Sequence, residues 1–176
     1  MPEQIEDYLV ALDERERTVR KVLDSRTIHE PVRLLNPRTP LTVRSTATLR
    51  DAVAIMREHH IGCVLVVDGE RLVGILTERD LLLKMVENAD LSEPVSGFMT
   101  RDPETLELDD PIVWALNRMS VGGYRHVPLV DRDARPVGIL SVKDIVHYIV
   151  ALFPNEVLTL PPDPVRGDAA PGRDGG

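Results

Sequence analysis

The sequence predicts an α+β fold built from two similar halves that pack sheet to sheet about a pseudo-twofold axis. Two observations lead to this prediction: an internal repeat, and a pattern of strand, helix, strand, strand and helix within each copy. PLTV at 40–43 returns as PETL at 103–106, and VGILT at 73–77 returns as VGILS at 137–141. A copy of this size buries too little surface to be stable alone. We therefore expect the halves to share an interface with two related clefts.

The first helix of each copy is indicated by its apolar spacing and its start signals. Apolar residues of the first copy recur at i, i+3, i+4 and i+7, as on one face of a helix: Leu49, Ala52, Val53 and Met56. Thr48 followed by Asp51 is the pattern of a capping box. In the second copy we expect Asp110 to cap the helix and Pro111 to take its first helical position.

Each copy continues with a hairpin and a second helix. The β-branched-rich runs Cys63–Val67 and Leu72–Leu76 flank the turn sequence Asp-Gly-Glu-Arg, which is typical of a hairpin. The second hairpin is predicted to turn through 131–136. Second helices are then predicted to begin at Glu78 and at Val142.

The flanks differ from the repeats. Residues 1–29 are expected to form an N-terminal extension with an amphipathic helix over 3–23, which either docks on its own module or contributes to dimerisation. The first repeat is assigned to 30–90 and the second to 91–153. Residues 154–176 are rich in proline and glycine, so we expect a flexible tail.

Composition limits the classes of function. The chain has 176 residues, is 43% hydrophobic and 28% charged, and carries a formal net charge of −8. This acidic balance disfavours a broad nucleic-acid-binding surface. A single cysteine, Cys63, excludes an internal disulfide and fits a reducing compartment. Neither a signal peptide nor a membrane span is visible, so we expect a cytoplasmic protein without membrane contact.

Two polar motifs are the main candidates for ligand binding. Thr77-x-x-Asp80 and Ser141-x-x-Asp144 each follow an apolar strand and open a helix. A hydroxyl at the N-cap and a carboxylate three residues later are by themselves a helix-start device. The carboxylate can also accept hydrogen bonds from a ribose diol, and the free N–H groups can meet an oxyanion. Capping and ligand binding are therefore compatible interpretations.

The ordered set of motifs resembles a tandem of cystathionine β-synthase (CBS) domains, or Bateman module, over about residues 30–153. The matching motifs are PxTV at 40–43, DAxxxM at 51–56, VVD at 66–68, GILTERDL at 74–81, FMT at 98–100, GYRHVPLVD at 123–131 and GILSxxDI at 138–145. The resemblance implies a regulatory sensor that binds AMP, ADP or ATP in the clefts between repeats. It also implies a homodimer that signals to a separate effector protein through a conformational change.

The resemblance further implies which residues hold the nucleotide. Asp80 and Asp144 would bind the ribose hydroxyls, and Thr77 and Ser141 would lie near the phosphate. Backbone groups at the first strand of each copy would contact adenine: Thr42, Val43, Thr105 and Leu106. The other implied cleft residues precede or begin the second strand of each copy: Ile61, Gly62 and Cys63 in the first, and Tyr124, Arg125, His126 and Pro128 in the second.

The two copies differ in the charge that they offer to a phosphate. Arg125 supplies a fork of donors, whereas its counterpart Gly62 supplies none. We expect the cleft lined by Arg125 to be the better phosphate site, with Asp144 as the more important carboxylate, and the other cleft to be weaker or empty. The alternative is that Arg125 pairs with a surface carboxylate. Arg79 and Lys143 either add charge near a phosphate or are solvated.

Enzymatic and metal-binding functions are not favoured by the sequence. No nucleophile motif, acid–base pair or phosphate loop is present, and the five histidines lack ligand spacing. We therefore predict no enzyme, no catalytic cofactor and no metal. Cys63 is expected to be a buried thiol.

The choice of ligand stays open at this point. AMP, ADP, ATP, S-adenosylmethionine, NAD and cyclic dinucleotides all share the adenosine that the implied residues would hold. Because Gly62 and Leu65 weaken the match in the first copy, a ligand-free dimerisation scaffold is the main alternative. A nucleic-acid-binding role is a further, less favoured one.

Overall fold

The computed structural model describes residues 26–84 and 90–152. The amphipathic segment at 3–23 and the tail at 154–176 lie outside the described residues, and so do the predictions made for them.

The described chain contains two β-α-β-β-α repeats. The first repeat consists of β1 (Thr42–Arg44), α1 (Leu49–Glu58), β2 (Cys63–Asp68), β3 (Arg71–Thr77) and α2 (Glu78–Lys84). The second begins with the short strand β4 (Thr100–Arg101) and a parallel bridge from Leu106 to Leu129, which takes the place of β1, and continues with α3 (Ile112–Ser120), β5 (His126–Val130), β6 (Pro136–Ser141) and α4 (Val142–Leu152). Short 3-10 turns precede each repeat, at Thr27–His29, Val32–Leu35 and Val95–Gly97.

The two sheets exchange the segments that lead into them. The first sheet has the order β1-β2-β3-β4, with β1 parallel to β2 and the other pairs antiparallel, while β5 and β6 form a second antiparallel sheet. β4 leads into the second repeat but pairs with β3 of the first, where Gly74 faces Arg101. Correspondingly, Arg38 precedes β1 in the first repeat and forms a bridge with Ile139 in β6. Each leading segment therefore lies beside the last strand of the other repeat.

The observed helix starts agree with the sequence predictions for three helices and differ for one. Thr48 and Asp51 form the predicted capping box at α1, and α2 and α4 begin at the predicted residues. The prediction for α3 was wrong, because Pro111 is the N-cap and the helix begins at Ile112. The Asp110 carboxylate instead accepts a hydrogen bond from the Glu107 N–H at 2.8 Å.

The core follows the alternation of the strands. In β2, Val64 and Val66 point into the helical core of the first repeat, whereas Cys63 and Leu65 point to the opposite face. Ile139 of the second repeat packs against that opposite face. The predicted sheet-to-sheet arrangement is confirmed, and it places the ends of both Thr/Ser-x-x-Asp strands at the junction between the repeats.

Candidate functional site

The larger of two clefts at the junction has a volume of about 650 Å³ and a basic lining. Its lining residues are Arg38, Thr39, Leu41, His59, His60, Ile61, Gly62, Cys63, Glu78, Arg125, His126, Ile139, Ser141, Val142 and Lys143. Three of these carry a fixed positive charge, namely Arg38, Arg125 and Lys143, and Glu78 alone of them is acidic. This large cleft therefore favours an anionic ligand.

The smaller cleft has a volume of about 250 Å³ and a balanced lining. Its residues are Ile75, Thr77, Arg79, Asp80, Thr100, Arg101, Asp102, Pro103, Glu104, Tyr124, Arg125 and His126. The lining of this small cleft contains equal numbers of arginines and carboxylates, namely Arg79, Arg101 and Arg125, and Asp80, Asp102 and Glu104. The small cleft therefore attracts an anion less strongly than the large one.

Both clefts are composed of residues from both repeats. The large cleft combines Ser141 of the second repeat with Ile61 and Cys63 of the first. The small cleft combines Thr77 and Asp80 of the first repeat with residues of the second. Tyr124 lines only the small cleft, whereas Arg125 lines both, so the arginine does not distinguish the clefts as we had expected. Within 26–84 and 90–152, no ion pair joins Arg125 to a carboxylate.

Asp80 has a complete set of hydrogen-bond donors from the protein itself. Its Oδ2 atom accepts from the Thr77 N–H at 3.0 Å and from the Thr77 hydroxyl at 2.6 Å. Its Oδ1 atom accepts from the Lys84 ammonium at 3.1 Å and from the Thr100 hydroxyl at 3.0 Å. A carboxylate has about four acceptor positions. All of them are used here, so a ribose diol would have to displace Lys84 or Thr100.

Asp144 is held on one side only. Its Oδ2 atom accepts from the Ser141 N–H and from the Ser141 hydroxyl, both at 2.6 Å. Its Oδ1 atom lies 3.6 Å from an Nη atom of Arg38, a distance that gives a loose ion pair rather than a strong hydrogen bond. The outer oxygen of Asp144 is therefore the more available of the two carboxylate acceptors.

Burial and hydrogen bonding shift three pKa values at the junction. Burial opposes ionisation of Asp80, but hydrogen bonds from Thr77, Lys84 and Thr100 outweigh it and lower the pKa of that carboxyl. Burial, and then the positive charge of Arg125, lower the pKa of His126. Burial raises the pKa of the Cys63 thiol to about 12. The thiol is therefore protonated at neutral pH, as its predicted buried position implies.

Six of the candidate residues are not among the lining residues of either cleft, and one of them is Asp144, whose carboxylate contacts the lining residues Ser141 and Arg38 of the large cleft. Val43, Leu106 and Pro128 are buried in the repeats, and Thr42 and Thr105 lie beside them on the same segments. The cleft walls are formed slightly earlier in the chain, by Thr39 and Leu41 and by the segment 102–104. A backbone contact from Thr42, Val43, Thr105 or Leu106 to adenine stays a prediction.

A family model described as "CBS domain" matches residues 33–87 and 95–151, which together make up more than half of the chain. The chain belongs to the CBS domain family. It carries two copies of the domain, as the resemblance indicated.

Curated relatives of this tandem CBS protein include chains of quite different length. An uncharacterised 17.7 kDa protein of Acidianus ambivalens is 34% identical over 109 residues, which are 61% of this chain and 66% of that protein. The inosine-5′-monophosphate dehydrogenase of Aquifex aeolicus is 37% identical over 113 residues, which are 61% of this chain and 22% of the enzyme. The chain therefore spans less than two thirds of the first of these proteins and under a quarter of the second.

Solved CBS domain pairs share the fold. The pair of protein MJ0100 in complex with 5′-methylthioadenosine and S-adenosyl-L-methionine superposes with a TM-score of 0.62 at 29% identity, covering 68% of this chain and 94% of that one. The CBS domain protein PAE2072 from Pyrobaculum aerophilum, complexed with AMP, gives a TM-score of 0.64 at 26% identity, covering 70% and 96%.

Several residues in the CBS clefts or in contact with them were missed from the sequence. Lys84 follows Asp80 by four positions, which places both on one helix face and was a usable signal. Arg38 had no local signal, because it reaches Ser141 across 103 positions of sequence. His59 and His60 were considered only among the five histidines that lack metal-ligand spacing, yet both line the large cleft.

Two further findings concern the described part of the CBS pair. Among residues 26–84 and 90–152, no helix combines the length and the apolar character needed to cross a bilayer. In the same ranges, no three His, Cys, Asp or Glu side chains come together in an arrangement that could hold a metal ion.

Proposed function

We propose that this CBS pair is a regulatory sensor of adenosine nucleotides and that the large cleft is its nucleotide site. The observation that carries the proposal is the unequal state of the two motif carboxylates. Among residues 26–84 and 90–152, only Arg38 approaches the outer oxygen of Asp144, at 3.6 Å, beside a basic cleft of about 650 Å³. Asp80 lies at a cleft of about 250 Å³ and has all its acceptor positions filled.

The chemistry of the large cleft matches the parts of a nucleotide. The outer oxygen of Asp144 accepts hydrogen bonds from a ribose diol. Arg38, Arg125 and Lys143 supply donors and positive charge for a phosphate group. The walls formed by Leu41 and Ile61 offer an apolar surface for a purine ring.

The AMP bound to the Pyrobaculum protein, and the 5′-methylthioadenosine and S-adenosylmethionine bound to MJ0100, support an adenosine ligand. We propose AMP, ADP or ATP for this chain because its large cleft has a positive lining.

A regulatory function follows because each cleft is lined by residues of both repeats. A ligand in the large cleft contacts residues of both repeats, so its binding changes the free energy of one arrangement of the repeats relative to another. We propose that the protein acts as a homodimer and that a separate effector protein responds to this change.

Ligand binding is measured by isothermal titration calorimetry and thermal denaturation with AMP, ADP, ATP, 5′-methylthioadenosine and S-adenosylmethionine. A ligand at 100 times its Kd stabilises the folded protein by about 2.7 kcal/mol, which a melting experiment detects. We expect Asp144→Asn to reduce nucleotide binding strongly and Asp80→Asn to leave it within about twofold, since the diol loses a charge-assisted acceptor only in the first variant.

The two variants are matched, because each weakens one helix cap of the same kind. If no adenosine ligand binds to a protein that melts cooperatively, the sensor proposal fails and the dimerisation scaffold replaces it. If Asp80→Asn removes binding and Asp144→Asn does not, the assignment to the large cleft is wrong. Salt-sensitive binding of RNA or DNA would instead favour a nucleic-acid-binding function.

A further inference from the structure

Arg38 is positioned across the repeats by its backbone. Its carbonyl oxygen accepts a hydrogen bond from the Ile139 N–H at 3.0 Å, so the residue is fixed to the edge of β6. Its side chain lies in the large cleft, where an Nη atom is 3.3 Å from Ser141 Oγ and 3.6 Å from Asp144 Oδ1. The guanidinium of the first repeat thus lies against the Ser-x-x-Asp motif of the second.

The contacts of the Arg38 side chain contribute little to the stability of the fold. The side chain is 57% exposed, and the separation of 3.6 Å from Asp144 excludes a bidentate pair. Exposed ion pairs of this kind contribute about 0–1 kcal/mol to stability. Nevertheless, the guanidinium covers the one oxygen of Asp144 that the helix cap does not use.

A ligand that hydrogen-bonds to this oxygen meets the guanidinium of Arg38 3.6 Å from it. Because Arg38 lines the large cleft and its backbone is held by Ile139, its guanidinium is within reach of a ligand bound there. A phosphate on the ligand gives the guanidinium a new partner, whereas an uncharged or cationic ligand does not.

We propose that Arg38 determines which class of adenosine ligand the large cleft accepts, favouring phosphorylated adenosines over uncharged or cationic ones. This inference rests on the proposed nucleotide site. Arg38 exchanges its loose ion pair with Asp144 for charge-assisted hydrogen bonds to the phosphate. For a ligand without a phosphate, loss of the ion pair is not compensated.

The matched control is Arg101, which is 63 positions after Arg38 and lines the small cleft. Its Nη2 atom donates to the Ser96 carbonyl at 2.8 Å. Asp80 Oδ1 accepts hydrogen bonds from Thr100 and Lys84, whereas the corresponding oxygen of Asp144 lies near Arg38. Arg101→Gln therefore makes the same chemical change at the corresponding position of the other cleft.

The experiment compares AMP with 5′-methylthioadenosine, which has a methylthio group in place of the phosphate. Calorimetric titrations are run on the wild-type protein, Arg38→Gln, Arg38→Lys and Arg101→Gln. We expect Arg38→Gln to weaken AMP binding by about 10-fold or more and to leave methylthioadenosine binding equal or tighter. Arg38→Lys keeps the positive charge but loses the paired N–H donors of the guanidinium, so its affinity for AMP should lie between those of the wild type and Arg38→Gln. Arg101→Gln should change the affinity for either ligand by less than about twofold.

The outcomes separate this inference from the proposed function. If the wild-type protein binds neither ligand, the proposed site and the role of Arg38 fail together. If it binds AMP but Arg38→Gln keeps the ratio of the two affinities, the specificity role alone is refuted. An equal loss for both ligands would also refute it, because Arg38 would then be needed for the shape of the cleft. A melting temperature of Arg38→Gln within about 2 °C of wild type shows that the variant is folded.

Discussion

Replacing Lys84 with methionine tests the network that holds Asp80. Methionine keeps much of the apolar stem and removes the ammonium, which lies 3.1 Å from Asp80 Oδ1 and also donates to the Phe98 carbonyl. A hydrogen bond to a charged group contributes about 1.5–3 kcal/mol, and an exposed ion pair about 0–1 kcal/mol. The Lys84 side chain is 40% exposed and that of Asp80 is 12% exposed, so this pair lies between the two cases. We expect Lys84→Met to lower the free energy of unfolding by about 1–2 kcal/mol.

Thermal and urea denaturation at neutral pH measure this loss. For a chain of this length, 1 kcal/mol corresponds to about 2–4 °C, so the melting temperature should fall by about 2–8 °C. The control is Lys143→Met, since Lys143 is exposed and has no ion pair within the described residues. Equal melting temperatures for the two variants would refute the structural role of Lys84.

The pH dependence identifies the charge as the cause. The folded chain lowers the pKa of Asp80 below its ordinary value of 3.8, so the ionised carboxylate stabilises the fold above that pH. This contribution is lost as the pH falls through the folded pKa. Lys84→Met removes one of the interactions that lower the pKa, so its deficit relative to wild type should shrink below about pH 3.8. A deficit that is the same at neutral and acidic pH would mean that lost packing, not charge, explains the effect.

Three further predictions use single positions of the fold. A side chain at Gly74 would overlap Met99, so Gly74→Ala should destabilise the protein by about 1–3 kcal/mol in urea denaturation. A side chain at Gly97 meets no atom of the described residues within 4 Å, so Gly97→Ala should cost less. Burial lowers the pKa of His126 below its ordinary value of 6.5, so stability present above that pH is lost on acidification. His126→Gln should therefore reduce the fall in melting temperature between about pH 7 and pH 5. Because burial raises the pKa of Cys63 to about 12, a maleimide should label it far more slowly in the folded protein than in denaturant.

Local sequence signals predicted a helix start correctly where residues of the helix's own first turn cap it. The Thr48–Asp51 capping box and the starts of α2 and α4 needed only residues within one turn. The start of α3 was predicted wrongly because its first N–H, that of Ile112, donates to the Glu30 carbonyl at 2.8 Å. A partner so distant in sequence satisfies the helix end without the Asp110 side chain, and no local pattern reveals it.

The composition of the clefts was only partly predictable for the same reason. The Thr/Ser-x-x-Asp motifs, with Arg125 and His126, were identified from the repeat and from the family resemblance, and they lie at or beside the clefts. Which loop faces which motif depends on the exchange of the leading segments between the two sheets. That exchange brings Arg38 to the second motif, and it is set by tertiary packing rather than by spacing.

The difference between the two clefts originates outside the motifs that the repeats share. Lys84 and Tyr148 are equivalent positions, each four residues after the motif aspartate. The Lys84 ammonium returns to Asp80, whereas the Tyr148 hydroxyl donates to Glu30 Oε2 at 2.7 Å. Burial and this bond raise the pKa of Tyr148 to about 12, so it stays a neutral donor and offers no charge to Asp144. Two differences between the copies, Lys84 against Tyr148 and Thr100 against Pro37, thus leave one carboxylate with its acceptor positions filled and the other without. Two nearly identical motifs thereby acquire different capacities for a ligand.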